Sequence, residues 1–152
     1  MYAGSVDEPD SRVVFACAVP LRDPVVSEAE GVPVGEEVAV VVHDGLRDAG
    51  LTVTELDQSR WGFLFYVDTK AGSFCVDVAS NAGWAPAWPP WSALLEEPGR
   101  FAGELRRAEF VRVRGALHAF LHDDPRFSAI GWLSASEWRP GSRAVPRGEP
   151  RA

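Results

Sequence analysis

The stretch Trp61–Ser80, WGFLFYVDTKAGSFCVDVAS, carries the strongest indication of fold in this chain. Residues 61–69 and 73–80 are rich in aromatic and β-branched side chains in an alternating pattern, which is typical of two β-strands. The connection between them, 68–72, contains Gly72, which supplies the positive φ that a tight hairpin needs. Strands joined this closely pair antiparallel, so the stretch predicts an antiparallel sheet.

Three further segments predict strands. Apolar runs rich in β-formers occupy 13–19, 51–56 and 127–133. Residues 20–33 are punctuated by proline and glycine and are interpreted as a loop. The consecutive strands imply a mostly antiparallel sheet of about five strands.

Two segments have helical periodicity. Apolar residues follow three-and-four spacing over 34–49 and 103–123, and Gly50 and Pro125 are typical terminators. The β-branched residues at 38–42 leave a strand open as an alternative there. The whole pattern predicts an α+β domain with two helices packed on one face of the sheet.

The ends of the chain differ in composition from its middle. Residues 1–11 are polar and acidic, which predicts a flexible arm, and the single domain is expected to span 12–138. Residues 139–152 are rich in Pro, Gly and Arg and predict a disordered basic tail.

A segment rich in tryptophan and proline lies at 83–91. Proline denies donors to a β-ladder, so this segment predicts an extended edge rather than a central strand. Trp84, Trp88 and Trp91 have two interpretations: they cap the core of their own domain, or they form an interface with another protein.

Negative charge is concentrated in the first third of the chain. Residues 1–57 contain twelve Asp and Glu against three Arg, a net charge of −9, although the formal total is only −7. Such a field steers basic partners toward the surface and, with a pI near 4.9, opposes nucleic-acid binding. The candidate partner-binding residues are Asp23, Glu28, Glu30, Glu36, Glu37, Asp44 and Asp48, together with the three tryptophans.

Few motifs point to catalysis, cofactors or membranes. No glycine loop has phosphate-binding spacing, and Cys17 and Cys75 lie in apolar segments, so no cofactor and no catalytic residue are predicted. The longest apolar run is too short to span a bilayer and the N-terminus is acidic, which predicts a cytoplasmic protein without membrane association.

A histidine pair leaves one chemical alternative open. His118 and His122 are four residues apart on the second predicted helix, and Asp123 follows. Paired imidazoles on one helix flank are candidate metal ligands, which would make the chain a small metal-binding protein or enzyme. Alternatively, His122 interacts with the carbonyl groups at the helix end.

The pattern of Trp61–Val67, Phe74–Val78, Trp84 with Trp88, a helix and Ile130–Trp132 resembles small bacterial α+β proteins. Some of these are immunity proteins of polymorphic toxin systems. The resemblance spans 34–138 and implies an acidic inhibitor that covers a basic toxin site. Together with the charge distribution, it predicts an acidic protein-binding module that neutralises or regulates a basic protein partner. A subunit of a larger assembly, in contact through the Trp/Pro segment, is a further alternative.

Overall fold

The computed structural model describes residues 8–151, and in this range seven strands and three helices form an α+β fold. The strands are β1 (Asp10–Cys17), β2 (Thr52–Val53), β3 (Asp57–Gln58), β4 (Gly62–Thr69), β5 (Gly72–Ser80), β6 (Trp91–Leu95) and β7 (Phe127–Ser134). The helices are α1 (Pro24–Ala29), α2 (Glu36–Asp48) and α3 (Glu104–Asp123). The predicted fold class is confirmed, but the sheet is larger than the predicted five strands.

The strands form one open antiparallel sheet in the order β2, β4, β5, β6, β1, β7, with β3 also pairing with β4. The predicted hairpin is confirmed: β4 and β5 pair along their whole length, and Thr69 stands opposite Gly72. Gly72 has a φ of +94°, a conformation that favours glycine. The N-terminal strand β1 lies inside the sheet, between β6 and β7.

Helices α2 and α3 cover one face of the sheet and pack on each other. The predicted helix at 34–49 therefore prevails over the alternative strand at 38–42. Alternate residues of β4 and β5 point at these helices and are buried: Phe63, Phe65, Val67, Phe74, Val76 and Val78. Gly45 of α2 lets the Phe120 ring of α3 approach closely, because a Cβ at position 45 would overlap that ring.

The opposite face of the sheet is covered in part by residues 81–90 and by the chain after β7. Val14, Ala85, Trp88 and Leu133 form a small buried cluster there. The Trp138 ring stacks on this cover, with its centre 5.2 Å from the Trp88 ring. We call this side of the sheet the outer face.

The Trp/Pro segment differs from its prediction. Residues 81–90 form turns, and Trp91 then begins β6, which pairs with β5 on one side and β1 on the other. The prediction of an extended edge segment at 83–91 is therefore wrong. The last proline of the segment is Pro90, so every residue of β6 has a backbone N–H for strand pairing. The side chains of Trp91, Ala93 and Leu95 point into the core.

The predicted loop at 20–33 contains the short helix α1. The Asp23 carboxylate accepts a hydrogen bond from the Val25 backbone N–H at 2.9 Å, and Pro24 occupies the first helical position. An N-cap aspartate followed by proline is a helix-start signal. That signal was present in the sequence.

Residues 139–151 lie against β1 and β7, in contrast to the disordered tail that composition predicts. The Asp10 side chain is fully buried, and its carboxylate pairs with Arg147 at 2.6 Å and Arg151 at 3.1 Å. The Arg147 backbone also pairs with Trp132 of β7. A buried carboxylate requires such partners, so the basic residues of this segment are held by the domain.

Contacts with the sheet are found on both sides of the predicted domain limits at 12 and 138, and the limits themselves stay a prediction. Asp10 and Ser11 belong to β1, and residues 139–151 contact the sheet. Residues 1–7 of the predicted acidic arm lie outside the described residues.

Candidate functional site

A cavity of about 760 Å³ opens at one end of the outer face. Asp77 and Leu94, on the outward sides of β5 and β6, line it together with Trp84 and Trp138 from the covering segments. The rest of the lining consists of Glu28, Gly31, Val32, Pro33, Val34, Gln58, Arg60, Trp61, Ala79, Ser80 and Ala82. Apolar walls with a few polar groups are typical of binding sites. We call this recess the tryptophan cavity.

Asp77 is the carboxylate within the tryptophan cavity. It stands between Leu64 of β4 and Leu94 of β6, and its Oδ1 accepts a hydrogen bond from the Ser59 hydroxyl at 3.0 Å. Burial raises the pKa of Asp77, while the Ser59 hydrogen bond opposes that shift. Within residues 8–151 no protein group donates a hydrogen bond to Oδ2, and the side chain is half-buried.

Three tryptophans border the cavity in different ways. Trp61 is 70% exposed, and the Arg60 guanidinium lies 5.0 Å from the centre of its ring. Trp84 stacks on Trp138, with ring centres 5.6 Å apart, and Trp88 also stacks on Trp138. The cavity therefore combines one exposed ring with two rings that are held in place.

The predicted partner-binding tryptophans are separated by the fold. Trp84 lines the cavity, whereas Trp88 and Trp91 are each only 6% exposed. The Trp88 indole N–H donates to the Ala144 carbonyl, and Trp91 packs in the core between the sheet and the helices. Both rings are thus buried within their own domain, the arrangement that the core-capping interpretation predicts, and their role as partner-binding residues stays a prediction.

One acidic residue of α1 lines the cavity, and it belongs to an acidic segment of the chain. Glu28 is among the cavity's lining residues, and Asp23, Glu30, Glu36 and Glu37 belong to the same segment, 22–37. This segment contains Arg22, which pairs with Glu30 at 2.6 Å, so it carries a net charge of −4. Glu28 thus links the cavity to a negatively charged segment, and we call its acids Asp23, Glu28, Glu30, Glu36 and Glu37 the acidic rim.

Asp44 and Asp48 lie farther along α2. Arg47 lies 3.5 Å from Asp44 and 3.7 Å from Asp48, and His43 contacts Asp44 at 2.8 Å. These neighbours reduce the charge that the two aspartates present to a partner. Of the predicted acids, those of the acidic rim therefore hold most of the available negative charge.

The arginines of α3 do not neutralise the acidic rim. Within the described residues, Arg106 does not pair with Glu104, Glu109 or an acid of the N-terminal half. Instead its guanidinium donates to the Ala71 and Ser73 carbonyls and lies 3.4 Å from Glu96. Arg112 pairs with Glu109, and Arg114 donates to the Asp10 carbonyl.

The histidine pair is occupied by structural contacts. The Trp132 indole N–H donates to His118 Nδ1 at 3.0 Å, and His118 Nε2 lies 3.2 Å from Glu149. His122 contacts Asp123 at 3.3 Å on the exposed end of α3. Across residues 8–151, no group of three or more His, Cys, Asp or Glu side chains is placed to hold a metal ion. The arrangement gives the metal-binding alternative no support.

The two cysteines offer no activated nucleophile. Both are free, and burial raises the pKa of Cys17. Cys75 lies on the outer face, where burial and the nearby Asp77 and Glu96 raise its pKa to about 11. Its thiol is therefore almost entirely protonated at neutral pH.

Sequence reasoning did not place Trp61, Asp77 or Trp138 among the candidate site residues. Trp61 was assigned to a strand, but it precedes β4 and is exposed. A carboxylate at an outward position of an otherwise apolar strand was the available signal for Asp77. Nothing local marked Trp138, which reaches the cavity because the segment after β7 returns over the sheet.

Comparison with models of protein families, with curated proteins and with solved structures finds no match in any of the three. In the part of the chain from 8 to 151, no helix is long and apolar enough to cross a membrane. The geometry of the tryptophan cavity and the acidic rim is thus the basis for assigning a role.

Proposed function

We propose that this protein is an acidic binding module that neutralises or regulates a basic protein partner. The observation that carries the proposal is the adjacency of exposed Trp61, the tryptophan cavity and the acidic rim. Tryptophan is enriched at the energetic centres of protein interfaces, and charged residues typically surround such centres. The sign of the rim selects a positively charged partner.

The proposed division of labour follows from distance and burial. Charges of the rim attract a partner over a Debye length of about 8 Å at physiological ionic strength, which mainly accelerates association. Trp61 and the cavity then supply apolar contact area, which mainly slows dissociation. The resemblance to immunity proteins supports a toxin with a basic active site as the partner class.

The test begins by identifying the partner. The tagged full-length chain captures binding proteins from a lysate of its native cells, and the partner found is then purified. Association is measured by stopped-flow at several salt concentrations for the wild type and for Glu28→Gln/Glu36→Gln. Both changes preserve side-chain size and remove negative charge from the acidic rim.

The matched control is Glu104→Gln/Asp123→Asn, which removes the same charge from α3. Glu36 and Glu104 both lie in the first turn of a helix, so the effect on the helix dipole is matched as well. The rim variant should associate roughly three- to tenfold more slowly at low salt, with a weaker salt dependence, and the control should change little. Equal slowing in both variants would show that overall charge, not this surface, governs binding.

A further inference from the structure

We propose that the tryptophan cavity receives an arginine side chain of the partner, with the guanidinium on the Asp77 carboxylate and its plane against the tryptophan rings. This inference rests on the proposed function and names the group that the cavity recognises.

The lining of the cavity fits the parts of an arginine side chain. A guanidinium is planar, stacks on aromatic faces and donates two parallel hydrogen bonds to a carboxylate. Asp77 offers its Oδ2, and Trp61, Trp84 and Trp138 offer ring surface. Apolar neighbours such as Leu94 suit the methylene stem of the side chain.

Charge around the cavity favours a cation. Asp77 and Glu28 both line it, and the acidic rim continues from Glu28. Asp77 is partly removed from water, and a bound cation offsets the cost of keeping its carboxylate ionised there. Lysine fits less well, because its ammonium is compact and strongly hydrated.

Arg60 is the one basic residue among the described residues that line the cavity. Its guanidinium already rests over the Trp61 ring, which shows that the ring accepts this group. Arg60 also repels a second cation and competes for the same ring. Removing its charge should therefore strengthen binding of arginine, whereas it would weaken binding of an anion.

The experiment uses the full ¹⁵N-labelled chain and Nα-acetyl-L-arginine amide as the probe. The six tryptophans give six indole N–H signals that NMR resolves separately. Signals of Trp61, Trp84 and Trp138 should shift in a saturable titration. Signals of Trp91 and Trp132, which lie in the core, should stay in place and confirm that the fold is intact.

Two probes and three variants complete the test. Nα-acetyl-L-citrulline amide has the same shape without the charge, and it should bind at least about tenfold more weakly. Asp77→Asn should weaken arginine binding to a similar degree, and Arg60→Gln should strengthen it roughly two- to threefold. Asp68→Asn is the matched control: Asp68 also lies on the outer face and accepts a serine hydroxyl, but it does not line the cavity.

Absence of saturable shifts, equal binding of citrulline, or wild-type affinity in Asp77→Asn would overturn the inference. If the partner's association still depends on the acidic rim in that case, the proposed function stands without this site. If the cavity binds arginine but the rim variant associates at the wild-type rate, the proposed function fails and the cavity is an arginine site of another kind.

Discussion

Replacing Arg147 with methionine is expected to destabilise the fold by about 3 kcal/mol, the low end of the cost of breaking a buried ion pair. Arg147 donates to both oxygens of Asp10, at 2.6 and 3.0 Å, and also pairs with Glu137. Asp10 is fully buried, but Arg151 remains as a second partner after the substitution, which keeps the cost from being larger. Methionine preserves the apolar stem and removes the charge.

The pKa of Glu137 supports the same magnitude. Hydrogen bonds from Arg147, the largest cause, and from the Ser134 backbone N–H and hydroxyl lower that pKa from 4.5 to about 2, against the opposing effect of burial. A shift of that size corresponds to about 3 kcal/mol of stability, present above the unfolded pKa. It is lost as the pH falls from 4.5 toward 2, so about 2 kcal/mol has gone by pH 3. The pKa of Asp10 is also lowered, and its contribution has the same sign.

The assay is urea unfolding, followed by tryptophan fluorescence and circular dichroism, at pH 7 and pH 3. Arg147→Met should be about 3 kcal/mol less stable than the wild type at pH 7, and the gap should narrow to about 1 kcal/mol at pH 3. Arg139→Met is the control, because Arg139 is exposed and its side chain makes one hydrogen bond within the described residues, to the Ser136 carbonyl. The idea that this network holds the C-terminal segment would be refuted if the unfolding free energy of Arg147→Met lay within about 0.5 kcal/mol of the wild-type value. It would also be refuted if the difference between the two were the same at pH 7 and pH 3.

Two further predictions concern the reactivity of Cys75 and the packing of helices α2 and α3. Cys75 should react with iodoacetamide about 100-fold more slowly in the folded than in the unfolded chain at neutral pH, because its pKa is raised from 9.0 to about 11; similar rates by mass spectrometry would contradict this. Gly45→Ala should cost about 1–3 kcal/mol, because its Cβ would overlap the Phe120 ring. Gly115→Ala in α3 meets nothing within 4 Å and should stabilise by up to about 1 kcal/mol; thermal unfolding that ranks the two alanine variants equally would rule out close packing at Gly45.

Local periodicity explains why much of the fold was predictable. In the hairpin 61–80 the buried residues recur every two positions, and in the helices α2 and α3 they recur every three to four. Such a spacing can be recognised from neighbouring residues alone. The strand β6 was missed because its five residues follow the prolines of 83–90, whose effect on a ladder ends at Pro90. The short helix α1 was missed because Pro24 and Gly31 were interpreted as loop signals, although proline is favoured at the first helical position.

The candidate site was predictable in its charge and in one of its tryptophans, Trp84. The acids of 23–37 are neighbours in sequence, so their common surface follows from local structure. The cavity combines Trp61, Asp77 and Trp138, which come from three separate segments. No local pattern relates these residues, because their proximity depends on the pairing of strands and on the path of the chain after β7.

The sequence by itself determined the α+β class, the central hairpin, the two long helices and the acidic character of one region. The tertiary structure alone decided that Asp10 meets Arg147, 137 residues away, and that a basic segment with few apolar residues is held against the sheet. The physical reason is range: periodicity and charge are properties of nearby residues, whereas burial of a single carboxylate is decided by which distant segments the whole chain brings around it.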